Sequence, residues 1–243
     1  MSRVLIALGL SLLGGLGGLL VASGVLLIKD SARTRFIPWL VSYAVGALLG
    51  VATLKILPEA LDRVRSSEIL GTLLLGILLF FVLEKLVLWR HCHTHDCEVH
   101  ESTVWTVVVG DAFHNFVDGA VIGAAVMTSI PLGVSTAIAV AAHEIPQEVG
   151  DFAVLLHSGC SRTRALTLNV ISALASTVGA LAAIAAFDVV PNLLPYFLAL
   201  AAASFLYVAM ADLIPGLHRG RTDAKAFRQI LLIGAGIATM LVF

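Results

Sequence analysis

Eight long apolar runs divided by short polar breaks constrain this chain more than any other feature of its sequence. They cover residues 4–28, 36–61, 69–89, 104–127, 132–157, 165–187, 193–217 and 227–243. Crossing a hydrocarbon core of ~30 Å takes about 20 apolar residues in a helix, so each run is expected to span a membrane. The expected fold class is therefore an all-α integral membrane protein, one bundle of eight helices with no second domain. Bulk composition agrees: 59% of the 243 residues are hydrophobic, 13% are charged, and mean hydropathy is +0.99. Soluble domains average about 45–50% apolar and about 25% charged residues. The first run lacks a small-residue cleavage site and is too long for a signal-peptide core, so it reads as a retained helix.

Lysine and arginine set the expected orientation. With the N-terminus outside, the inner segments hold Lys29, Arg33, Arg35, Lys85, Arg90, Arg162, Arg164, Arg219, Arg221, Lys225 and Arg228. The outer segments hold only Arg3, Arg63 and Arg65. That asymmetry predicts both termini outside. A net charge of -1 gives no case for a nucleic-acid partner. Glycines 9, 14, 15, 17, 18 and 24 crowd the first run, where they suit either tight packing or sliding of one helix on another.

Two of the runs carry polar residues that lipid does not tolerate. An ionisable group at mid-bilayer costs at least ~2.5–3.5 kcal/mol on insertion scales, so a cluster of them needs a function. The fourth run reads GDAFHNFVDGAVIG and sets Asp111, His114, Asn115 and Asp118 along one helical stripe. The fifth reads HEIPQEVGD and sets His143, Glu144, Gln147, Glu148 and Asp151 on one face. Both stripes lie midway along their runs, and the two helices are antiparallel by topology, so the stripes meet at one height if the helices pack together. Imidazole nitrogen with carboxylate oxygen suits zinc and its first-row neighbours, whereas all-oxygen shells suit magnesium or calcium. Pro146 lacks the N–H that would bond to the Ala142 carbonyl, which is expected to bend the fifth helix. A polar network that only joins helices, or a proton relay, would not call for two histidines and two amides at one level.

The candidate metal residues are thus His114, Asn115, Asp118, His143, Glu144, Gln147 and Glu148. Asp111 and Asp151, with His157 beyond them, fall on the inner side as candidate exit-path groups. HEIPQ departs from the hydrolytic zinc motif H-E-x-x-H at its last position, and no paired Ser or Cys nucleophile accompanies it. An intramembrane zinc-dependent hydrolase is the alternative reading, and transport without enzymatic activity is the expected one. After the third run, residues 90–102 form an expected cytoplasmic loop with His91, Cys92, His93, His95, Cys97 and His100 as loop ligands. Their irregular spacing does not make a closed zinc finger and suits capture or sensing of metal.

At HNFVDG, HEIPQEVGDF, FFVLEK and FLYVAMADLIPGL the sequence resembles the ZIP (Zrt/Irt-like) family of metal-ion transporters. It is most similar to the branch whose fifth helix reads HEIPHE-x-GDF. The resemblance implies uptake of zinc, or of iron, manganese or cadmium, toward the cytoplasm. It also implies a homodimer and an elevator-like movement of helices one, four, five and six past two, three, seven and eight. The metal is cargo, and no resident cofactor is implied. The first metal site would fall on His114, Asp118, His143 and Gln147, and an adjoining one on Asn115, Asp118 and Glu144 with Gln147 as a bridge. Gln147 replaces the branch's histidine with a neutral, weaker donor. Val51 and Lys55 stand where the branch often has Asp and His, so the Lys55 ammonium is a candidate substitute for a second cation, or snorkels to the interface. The lack of a long His-rich segment before the first run makes a bacterial inner membrane the expected location.

Overall fold

The computed structural model describes residues 2–26, 30–91, 99–218 and 224–242, and among them the chain is helical with no strand. The helices are α1 (Ser2–Leu26), α2 (Asp30–Val51), α3 (Leu57–Leu61), α4 (Ser66–His91), α5 (Val99–Thr128), α6 (Ile130–His157), α7 (Arg162–Val189), α8 (Leu194–Tyr207), α9 (Ile214–His218) and α10 (Ala224–Val242). A π-helical turn, Ala52–Ile56, joins α2 to α3, and another, Val208–Leu213, joins α8 to α9. The described residues thus form eight continuous rods. Six of the helical stretches are long and apolar enough to cross a membrane by length and composition. The other two rods are α6, diluted by its polar stripe, and α10, whose apolar stretch is Ala226–Val242.

The helices run past the apolar segments that signal them. α4 continues to His91 and α5 begins at Val99, so both helices enter the segment expected as a loop over 90–102. Helix formation needs only backbone bonding, and polar residues at the bilayer edge sustain it. Cys92, His93, His95 and Cys97 lie outside the described residues, as do the side chains of His91, His100 and His157. α6 passes through Pro146 without interruption.

Side-chain bonds fix which ends lie together. Arg3 donates to the Met127 carbonyl at 2.8 Å, placing the start of α1 beside the α5–α6 turn. Tyr196 donates to Glu68 at 2.6 Å, placing the starts of α4 and α8 together. Both contacts fit helices that alternate in direction. α6 starts sharply because Ser129 caps it, accepting from Leu132 N, with Pro131 in the first turn.

Packing separates the rods into two groups. α1, α5, α6 and α7 all contact one another, whereas the second group is a row, α10 against α2, α2 with α3 against α8, and α8 against α4, with α2–α6 and α5–α8 as the main links between the groups. Within each group one helix pair approaches so closely that only glycine fits. A Cβ on Gly119 would land on the Ser176 carbonyl, and one on Gly46 on the Ile233 carbonyl. Gly119 with Gly123, and Gly46 with Gly50, each make a small-xxx-small seam of the kind that binds helices in lipid. The face of α4 that bears Leu70, Leu74, Leu75, Leu78 and Phe81 is exposed, as a lipid-facing surface should be.

Two apolar cores bracket α5 and α6. The larger one takes Val121, Ile122 and Val126 from α5 with Ala139 and Val140 from α6. The smaller one takes Val104 and Val108 with Phe152 and Leu155. Asp111–Asp118 and His143–Glu148 occupy the interval between them, so the polar stripes are sealed above and below by packed hydrocarbon.

Candidate metal centre

Four side chains converge in that interval: His114 and Asp118 from α5, His143 and Glu144 from α6. His143 Nε2 lies 2.9 Å from Asp118 Oδ2 and 3.7 Å from Glu144 Oε1. His114 Nε2 lies 3.6 Å from each of Asp118 Oδ2 and Glu144 Oε1, and 3.1 Å from His143 Nε2. Ligand atoms ~2.0–2.1 Å from a tetrahedral zinc sit about 3.3 Å apart, and these separations bracket that edge. The helical spacing explains the convergence: His114 and Asp118 are one turn apart on one face, and His143 and Glu144 are adjacent on the face that meets it.

His143 is oriented by its own helix. Its Nδ1 lies 3.0 Å from the Ala139 carbonyl, the acceptor four residues earlier. With the Nδ1 proton donated there, Nε2 carries the lone pair and faces the carboxylates as a ligand. The ring is buried, and Phe205 of α8 packs edge-on against it with centroids 6.1 Å apart. His114 is only partly buried, which leaves an approach to the cluster from its side.

Among the described residues the acidic groups have no fixed Lys or Arg counter-cation. Among the described residues no Lys or Arg forms an ion pair with Asp111, Asp118, Glu144 or Glu148, although all four are buried. The oxygens of Glu144 and Glu148 accept no hydrogen bond among those residues. Buried, unpaired carboxylates are costly unless a cation joins them. Asp111, Glu144 and Glu148 form a second convergent set, all oxygen, that shares Glu144 with the first.

Asp111 is held from three helices. Asn115 Nδ2 donates to its Oδ1 at 3.0 Å and to its main-chain carbonyl at 3.2 Å. Gln147 Nε2 lies 3.4 Å from the same Oδ1, and Ser172 of α7 donates to Oδ2. Gln147 therefore sits beside Asp111, and Glu144 completes the convergent four in the place the family pattern gives to residue 147. Asp151 is half-buried on α6 one turn past Gln147. Lys55 is half-buried in the π-helical turn before α3, and among the described residues it pairs with none of the site carboxylates. Sequence reasoning missed Ser172. A serine in a long apolar run carries no signal alone, and only the α5–α7 seam brings it to Asp111.

Helix α1 roofs the site. A Cβ on Gly18 would come within 3.0 Å of Glu144 Cβ, and one on Gly15 within 2.9 Å of the Ala173 carbonyl. Gly9, Gly17 and Gly24 meet nothing within 4 Å, so one side of this glycine-rich helix makes the tight packing and the rest does not.

Comparison with known proteins bears on the same region. The profile of a family described as ZIP Zinc transporter matches residues 89–243, a stretch that contains both polar stripes. The chain is similar to zinc transporter ZIP13 of Pongo abelii, 30% identical over 232 residues that cover 89% of this chain and 70% of that protein. It is similar to zinc transporter ZIP10 of Danio rerio, 42% identical over 122 residues, 50% of this chain and 14% of that one. It also resembles zinc transporter ZIP4 of Homo sapiens, 41% identical over 133 residues, 55% of this chain and 20% of that one. The chain thus spans a small part of the length of ZIP10 and ZIP4. These relatives carry the names of transporters, not of enzymes.

Proposed function

The chain belongs to the ZIP zinc transporter family, and on that premise we propose that it carries zinc, or a similar divalent transition metal, across a membrane toward the cytoplasm. The observation that carries the proposal is the convergence of two imidazoles and two carboxylates, at tetrahedral spacing, midway along two long helices packed between apolar cores. His114, Asp118, His143 and Glu144 bind the ion. Asp111, Glu144 and Glu148 take it next, because Glu144 belongs to both sets and can pass the ion by turning one carboxylate. The second set is all oxygen and holds zinc less firmly than imidazole does, which favours release. Asp151, one turn further along α6, continues the path.

All eight rods span the bilayer in this reading, with both termini outside as the Lys and Arg distribution indicates. In this reading α1, α5, α6 and α7 carry the site as one body past the others in an elevator-like step, a movement that the two-group packing supports. The His/Cys segment after α4 lies on the cytoplasmic side and captures or senses released metal. Uptake into sealed proteoliposomes, with zinc, iron, manganese and cadmium in competition and no organic substrate present, tests the function. Zinc accumulation above empty vesicles is expected. Absence of uptake of all four metals by inserted, folded protein would contradict it.

A further inference from the structure

We propose that Ser172 of α7 is a positioning residue for the metal centre, acting through Asp111 on the amide of Asn115. The inference rests on the reading of the cluster as a metal site. An amide has a donor end and an acceptor end, and hydrogen bonding decides which way each faces. Both donors of Asn115 go to Asp111: one to the carboxylate at 3.0 Å, the other to the main-chain carbonyl at 3.2 Å. Only Oδ1 remains available, and that oxygen is buried with no hydrogen-bond partner among the described residues. The Cβ that Gly15 lacks would sit 3.4 Å from it, so the glycine leaves the space beside the oxygen open. A buried carbonyl oxygen with no donor and room next to it is set to ligate a cation.

The Asp111 carboxylate must itself be held for this to work. It is reached from outside its own helix by Gln147 at the long distance of 3.4 Å and by Ser172, whose bond to Oδ2 is the closest contact it makes. Ser172 is fully buried and on a helix that supplies no member of either convergent set. Its hydroxyl also lies 3.1 Å from the Asn169 carbonyl and 3.2 Å from that of Leu168, which pins the side chain to one location. The chain of control runs from α7, across the glycine seam, to the ligand-bearing face of α5. Outer groups that orient metal ligands in this way are typically worth about 10–100-fold in affinity.

Zinc titration of the purified full-length chain, paired with uptake kinetics in proteoliposomes, tests the inference. The parent protein is the control. If it binds no zinc, the metal-site reading itself fails, separately from the role of Ser172. Ser172→Ala is expected to weaken zinc binding about tenfold, with the KM for uptake rising in step and the maximal rate changing by less than about twofold. Ser172→Thr keeps the hydroxyl and is expected to restore affinity to within about threefold of the parent. In an Asn115→Ala background Ser172→Ala should add no further loss, because the group it acts through is gone. Unchanged affinity in folded Ser172→Ala protein, or the same tenfold loss in the Asn115→Ala background, overturns the proposal. If the alanine variant does not insert, Ser172→Cys, close in shape but a weak donor, is read against the same thresholds.

Discussion

The two helix groups use the same packing device and differ in chemistry. α5 meets α7 through Gly119, Gly123 and Gly179, and α2 meets α10 through Gly46, Gly50 and Gly236, each but Gly50 with backbone where a side chain would otherwise stand, and Gly50 against the Met240 side chain. Close approach of small residues therefore builds both groups, which is what association in lipid demands when hydrophobic burial gives no advantage. The polar interior is unequal. Asp111, Asn115, Asp118, His143, Glu144, Glu148, Asn169, Ser172 and Ser176 are all buried in the α1/α5/α6/α7 group, whereas among the described residues the other group buries only the polar side chains of Ser42 and Ser204. Regularity is unequal in the opposite sense. Both π-helical turns lie in the second group, each followed within a few residues by a proline, Pro58 and Pro215. Among the described residues one group buries charged side chains and has no π-helical turn; the other carries both π-helical turns and buries no charged side chain. Packing gives both their form, and the polar stripes distinguish the group that holds the candidate metal centre.

The sharpest way to break this contrast is to remove a ligand from one group and a buried polar group from the other. His143→Ala should reduce metal uptake in proteoliposomes to background, with insertion and yield unchanged. Ser204→Ala should leave uptake within about twofold, because Ser204 lies on α8, which supplies no member of either convergent set. Near-normal uptake by His143→Ala would erase the distinction.

Next in size are the glycine seams, where the two groups should respond alike. Gly119→Val and Gly46→Val each force a side chain against a neighbouring backbone, an overpacking cost of about 1–3 kcal/mol or more. Both variants should show lower thermal stability in detergent. A loss at one seam alone would mean that the groups are not built on the same principle.

Phe205→Ala sharpens the boundary between the groups. Phe205 belongs to α8 but packs edge-on against the His143 ring. Such a ring pair is worth about 0.5–1.5 kcal/mol, so zinc affinity should fall about 2–10-fold with the ligand set intact. An effect as large as that of His143→Ala would place Phe205 inside the site and not at its edge.

The smallest effect is expected where α4 gives way to α5. Replacing His91, Cys92, His93, His95, Cys97 and His100 with serine should alter the metal dependence of uptake or its turnover and leave uptake measurable. Complete loss in a stable protein would make that segment part of the permeation path.

Much of this was legible in the sequence because membranes simplify the code. A run of about 20 apolar residues reports a spanning helix whatever packs beside it. His114, Asp118, His143 and Glu144 were legible for the same reason, since ionisable residues at mid-span have few bland explanations. What the sequence did not reveal depends on how helices lie against each other. Spacing on α6 makes Gln147 and Glu144 equally good candidates, and only the rotation of α6 against α5 sends Gln147 toward Asp111 and Glu144 toward the histidines. Ser172 was illegible for a related reason: serine is common in apolar helices, and its role depends on the α5–α7 seam. The π-helical turns carry no periodic signal, so the second and seventh runs read as plain helices.

The central claim is that the metal centre is a nitrogen–oxygen site in the middle of the α5–α6 pair. X-ray absorption at the zinc edge, on purified full-length protein loaded with one equivalent of zinc, tests it most directly. The account predicts a four-coordinate shell of nitrogen and oxygen at about 2.0–2.1 Å, with the outer scattering of two imidazoles, and loss of that signature in His143→Ala. A shell dominated by sulfur at about 2.3 Å would place the zinc on Cys92 and Cys97 and contradict it.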